Sequence, residues 1–146
     1  MPTSAAAQQI ADQMMEKDAF SQWLGIDILE MNVGFCRAEM RVRPEMLNGF
    51  GIAHGAITFA LADSVFAFAS NSQGRHAVSI ETSISHTKSL QAGEKITATA
   101  QEEHLAYKTG IYTVEVTNEA GEKVALFKGT VYRSSKEWET NKGMDS

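Results

Sequence analysis

Eighteen residues, His54 to Asn71, reading HGAITFALADSVFAFASN, constrain this fold more than any other stretch of the chain. Ile57, Phe59, Ala60, Leu61, Val65, Phe66, Phe68 and Ala69 point in nearly every direction of a helical wheel, so the spacing predicts a helix that is buried on most sides. A chain of 146 residues with 43% hydrophobic content suits one domain rather than two, and the rest of it must cover this helix. Strand patterns are available to do so. Cys36, Ala38, Met40 and Val42 alternate with Arg37, Glu39, Arg41 and Arg43, the mark of a half-buried strand. Further strands are predicted at 76–88, 93–106, 109–118 and 123–133, with QAGE and NEAGEK as turns. An amino-terminal helix is expected up to Asp18, capped by Thr3 or Ser4, followed by an apolar landing of Phe20, Trp23 and Leu24. The fold class is therefore α+β, a long central helix wrapped by a curved antiparallel sheet. The domain is expected to span residues 1–134, with 135–146 a flexible tail.

The formal net charge of −5 argues against a general nucleic-acid binder, which needs a basic excess or stripe. With Cys36 alone, one chain builds neither an internal disulfide nor a thiolate-rich zinc site, and a reducing, cytoplasmic setting is expected. The first residues lack the basic start and apolar run of a secretory signal, and no segment approaches the ~20 apolar residues of a membrane span. His76, His86 and His104 do not have a metal-binding spacing, and each is expected to be a surface or polar-core imidazole.

Asp63 is out of place in the apolar helix. A carboxylate there must be paired, protonated, or turned to a cleft where its reactivity is used; it equally reads as a neighbour of Ser64 on an exposed stripe. Just before the helix, NGFGIAHG carries Gly49, Gly51 and Gly55, which allow close approach of a ligand to free helix-start amides, or which simply make a flexible, capped loop. His54 and Asp63 are nine residues apart, roughly 13 Å along a helix and on opposite sides of it. One chain cannot aim both at one atom. A two-fold dimer can, with Asp63 of one subunit facing the Gly55 amide of the other.

LNGFGIAHGAITFALAD, followed by the strand region ISHTKSLQAGEKITATAQEEHLAYKTGIYTVEVTNEAGEKVALFKGTVYR, resembles the hotdog-fold acyl-CoA thioesterases, in particular their phenylacetic-acid-degradation branch, over residues 8–134. The resemblance implies a hotdog fold and hydrolysis of phenylacetyl-CoA or its ring-hydroxylated forms. It implies Asp63 as nucleophile or general base, the Gly55 N–H as oxyanion donor, Asn48 orienting nucleophile or water, and His54 holding the loop. Ala56 departs from the family's His-Gly-Gly, and a small packing change is expected from it. Ser79 or Thr82 would assist the carboxylate on the substrate side. Phe59, Phe66 and Phe68 would offer an aromatic wall, although Phe at helical spacing is more often core. Lys88, Lys108, Lys128 and Arg133 are available to coenzyme A phosphates. No cofactor or metal is expected, coenzyme A being part of the substrate, and neither a nucleic-acid nor a membrane partner. The implied assembly is a homodimer sharing its sites, associating further to a tetramer. Two rivals remain: a hotdog dehydratase pairing His54 with Asp63, and a non-catalytic acyl-CoA binding protein, which would have no use for a buried carboxylate.

Overall fold

The apolar run folds as helix α3, Gly55–Asn71, in a computed structural model that describes residues 2–140. Its beginning is set by His54, the N-cap residue, whose side chain accepts the Ala56 N–H at 3.0 Å. Six strands cover it: β1 (Asp27–Asn32), β2 (Phe35–Arg41), β3 (Arg75–His86), β4 (Lys95–Leu105), β5 (Thr109–Thr117) and β6 (Lys123–Glu137). They form one sheet in the order β1-β2-β4-β5-β6-β3, every neighbouring pair antiparallel. The architecture is the α+β one that the hydrophobic pattern predicts.

Alternation decides which sheet face meets the helix. Cys36, Ala38 and Met40 of β2, Ile96, Ala98 and Ala100 of β4, Tyr112, Val114 and Val116 of β5, and Phe127 and Val131 of β6 are all buried in one core with Leu61, Val65, Phe66 and Phe68 of α3. Burial pushes the Cys36 thiol up to about 12, which leaves it a small hydrophobe without thiolate character. Two short helices close the flank: α1 (Ser4–Lys17), capped by Thr3 accepting from the Ala6 N–H, buries Ala7, Ile10 and Ala11, and α2 is Ala19–Leu24. Of the expected apolar landing only Leu24 is buried, while Phe20 and Trp23 stack on each other in the open.

Two elements depart from the sequence pattern, each for a local reason. Strand β1 is not legible because a bulge between Ile28 and Glu30 breaks the two-residue period before Met31 turns inward. Strand β6 runs past residue 134, where the domain is expected to end, because the Trp138 indole stacks on His76 at 3.9 Å and donates to Asn71 Oδ1 at 2.9 Å. Of the expected flexible tail, residues 141–146 lie outside the described residues. No helix among the described residues is long and apolar enough to cross a membrane.

Helix and sheet come into tight contact at Gly129 of β6. A Cβ there would lie 2.6 Å from Phe66 Cζ, nearer than side chains pack, so the ring of Phe66 rests on bare backbone, flanked by Tyr112 and Phe127. Gly129→Ala is expected to lower stability by about 1–3 kcal/mol through overpacking, and adding Phe66→Leu should recover part of the loss. Urea unfolding of the three proteins checks this; an alanine variant within ~0.5 kcal/mol of the parent, the ordinary scatter of surface substitutions, would show that the contact is loose.

Candidate active site

The loop ahead of α3 is a tightly bonded turn. Asn48 Oδ1 accepts the N–H groups of Phe50 at 2.9 Å and Ile52 at 3.3 Å, its own backbone N–H reaches the Ile52 carbonyl at 2.8 Å, and Gly51 adopts a left-handed φ of 78° to close the turn. Backbone bonds from His54 to Met46 and from Ala53 to Leu90 then anchor the segment to the body of the chain. His54 is thereby delivered to the helix start. Its Nδ1 is spent as an acceptor for Ala56, so the neutral ring carries its proton on Nε2 and has no lone pair left for use as a base.

This geometry leaves donors free. Among the described residues the Gly55 N–H meets no protein acceptor, and Asn48 Nδ2 is likewise unpaired. Both border a cleft of about 240 Å³ that Thr58, His86, Lys88 and Leu90 also line. An unpaired amide at the positive end of a seventeen-residue helix, with a second donor beside it, is an arrangement that stabilises an oxygen gaining negative charge.

Asp63 lies two turns along α3, half-buried, and no hydrogen-bond or ion-pair partner reaches it among the described residues. Burial raises its pKa, and the carboxylate of Asp18 raises it further. Asp18 is itself occupied: it caps α2, accepting the Ser21 N–H at 3.0 Å and the Ser21 hydroxyl at 2.6 Å. The Ser21 proton is therefore committed, and Ser64 donates to Ser21 Oγ at 2.9 Å. Ser64 is thus pinned against α2 and does not mark an open stripe, while its neighbour Asp63 keeps an unspent carboxylate.

Asn48, His54 and Gly55 come together at the helix start, and Asp63 of the same chain does not join them. Ser79 and Thr82, three positions apart, face the same way because a bulge between Ser79 and Glu81 inverts the alternation; they pair with Val131 and Gly129, both buried on the helix side. Phe66 and Phe68 are core, whereas Phe59 is partly buried and packs on Phe127 at 5.7 Å. Lys88 and Lys128 pair with Glu122 and Glu81, and Arg133 donates to the Ala106 carbonyl at 2.6 Å. Among the described residues no three His, Cys, Asp or Glu side chains are grouped to hold a metal ion. His86 is the residue that spacing alone does not flag: a Cβ on Gly55 would lie 3.2 Å from its Nε2.

Residues 50–125 match the model of the thioesterase superfamily. The acyl-coenzyme A thioesterase PaaI of Escherichia coli K12 is 44% identical over 130 residues, 89% of this chain and 93% of that protein. The structure of the E. coli PaaI protein from the phenylacetic acid degradation operon superimposes with a TM-score of 0.90 at 42% identity, covering 92% of this chain and 98% of that one. A hypothetical thioesterase of Streptococcus pneumoniae TIGR4, solved with coenzyme A, superimposes with a TM-score of 0.81 at 25% identity, over 86% and 98% of the two chains.

The raised pKa of Asp63 has a sign that can be tested. Between the unfolded value of about 3.9 and the higher folded one, the folded chain holds a proton that the unfolded chain has lost, so stability falls as pH rises through that window. Asp63→Asn removes the penalty. Thermal melts should place the variant above the parent at pH 7, with the gap closing as the pH falls toward 4. An unchanged or lowered melting temperature at pH 7 would mean that the carboxylate is paired in solution.

Proposed function

The chain belongs to the thioesterase superfamily and has the hotdog fold of its relatives, and from that premise we propose that it hydrolyses phenylacetyl-CoA, or the ring-hydroxylated forms, to the free acid and coenzyme A. The observation that carries the reading is the pairing of two unspent groups: a half-buried carboxylate without a partner on α3, and an amide without an acceptor at the start of the same helix. The substrate class follows the E. coli relative, whose name and operon are those of an acyl-CoA thioesterase of phenylacetic acid degradation.

In the proposed reaction the thioester carbonyl oxygen accepts from the Gly55 N–H, and Asn48 Nδ2 orients the attacking group. Asp63 takes a proton from water as the water oxygen adds to the carbonyl carbon; collapse of the adduct breaks the carbon–sulfur bond, and the departing thiolate receives the proton to leave as coenzyme A. In the alternative route the Asp63 carboxylate adds directly, expelling the thiolate, and water then cleaves the mixed anhydride. Label from ¹⁸O-water appearing in the Asp63 carboxylate after a single turnover marks the second route. Thr82 is better placed than Ser79 to assist, because its partner Gly129 abuts Phe66, less than one turn from Asp63. His54 acts by capping the helix. That role speaks against a dehydratase, which would need its basic nitrogen.

Asp63 and Gly55 sit eight residues apart on one rigid helix, about 12 Å along its axis, so the proposed site needs two copies. Strand β3 offers the means of assembly. It is an edge strand of twelve residues with Val78 and Ile80 about 60% exposed, and bare edges of that kind are ordinarily covered. Antiparallel pairing of β3 with its copy around a two-fold axis covers both edges and sets the two α3 helices side by side. A dimer of such dimers completes the proposed assembly.

Two measurements test the proposal. Asp63→Asn is expected to lower the rate of coenzyme A release from phenylacetyl-CoA by at least ~10²-fold, with a straight-chain acyl-CoA turned over more slowly than the aromatic one by the native protein; equal rates for native protein and variant remove Asp63 from the chemistry. For the shared site, inactive Asp63→Asn and Asn48→Ala subunits are mixed by co-refolding. Random pairing makes half of the dimers mixed, each with one intact site, so about a quarter of native activity should return; no recovery would place the whole site in one chain.

A further inference from the structure

His86 ends β3 directly over the first residue of α3. Its Nε2 edge faces Gly55, with Nε2 3.2 Å and Cε1 3.5 Å from the position a Gly55 Cβ would take. Neither ring nitrogen has a protein partner among the described residues. Gly55 is the residue whose bare N–H the proposed chemistry uses, and the lack of a side chain there is what allows the imidazole to come so close. The cleft between them is polar in a second respect. Thr58, one turn further along α3, is 4% exposed and lines the same cleft, yet its hydroxyl meets no partner among the described residues. Buried hydroxyls are ordinarily bonded, so an unspent one beside an unspent imidazole and an unspent amide marks a place prepared for an acceptor from outside the chain.

We propose that His86 Nε2–H is a second donor to the acyl carbonyl oxygen, closing an oxyanion cradle with the Gly55 N–H, and that His86 is a catalytic residue of this enzyme. The inference rests on the reading of Gly55 as oxyanion donor. Gly55 and His86 line one cleft, so an oxygen held there by the Gly55 amide would share it with the imidazole; its negative charge grows as the tetrahedral adduct forms, so a second donor is worth more in the transition state than in the bound substrate. The strand position of His86 supports this use. β3 is hydrogen-bonded to β6 through its length, with His86 paired to Ala125, so the donor is mounted on a ladder and not on a loop.

The test uses His86→Phe, which keeps a ring over Gly55 without a donor, and His86→Gln, which restores an N–H. With phenylacetyl-CoA, the Phe variant is expected to lose on the order of 10²-fold in kcat with KM within about threefold, and the Gln variant to regain at least about tenfold of that loss. A Phe variant within twofold of native kcat, or a Gln variant no better than Phe, overturns the proposal. A readout independent of turnover comes from carbonyl-labelled phenylacetyl-CoA bound to the Asp63→Asn protein, with and without His86→Phe. The infrared carbonyl stretch should move to higher frequency when the imidazole is removed; an unmoved band, or no binding at all, also overturns it. Lack of hydrolysis by the native protein, with the band shift present, would instead count against the hydrolase reading alone.

Discussion

Phe66 pressed onto the bare backbone of Gly129 ties the apolar helix to β6, one strand in from the edge of the sheet, and the core around the helix depends on that contact. With a side chain at 129 the helix would stand off, and the rings of Tyr112 and Phe127 that bracket Phe66 would lose their packing. Because the contact lies near the helix centre, it also fixes the level of Asp63, less than one turn away, against the strands. The helix start is fixed separately, by the bonds that carry the segment from Asn48 to His54 back to Met46 and Leu90. Two anchors on one rigid rod hold the carboxylate and the free amide at a set spacing.

That spacing explains why polar groups are left unspent. Along most of α3 the chain satisfies what it buries: Ser64 bonds Ser21, Asn71 bonds Ala77 and Trp138, and the Ser72 hydroxyl bonds the Ala69 carbonyl. Against that background stand groups without a partner among the described residues: the Asp63 carboxylate at one level, and the Gly55 N–H, Asn48 Nδ2, Thr58 hydroxyl and His86 imidazole at the other. The ones withdrawn from water, the Asp63 carboxylate and the Thr58 hydroxyl, cost stability in the isolated fold, in keeping with desolvation at sites of chemistry. A two-fold assembly through the exposed edge of β3 would bring the two levels of different subunits together.

Much of this was legible in the residues. The apolar helix, the inward face of β2 and the extents of β3, β4 and β5 follow from period, since these are local rules with local causes. The strand β1 and the shared facing of Ser79 and Thr82 were not legible, because a single bulged residue in each strand reverses the alternation, and the register of a partner strand is what creates a bulge. The turn at Asn48 reads as a flexible loop until its side chain is seen to accept two backbone N–H groups.

By itself the sequence determined that one helix must be buried, that it carries a misplaced carboxylate, and that its start is rich in free amides; periodicity, burial cost and the geometry of a helix suffice for these. The tertiary structure alone decided that His86 stands over Gly55, that Thr58 is buried and, among the described residues, without a hydroxyl partner, and that Ser64 is tied to Ser21 while Asp63 meets none of them. Those facts join residues from different elements, and only the packing of strand against helix sets the distances between them.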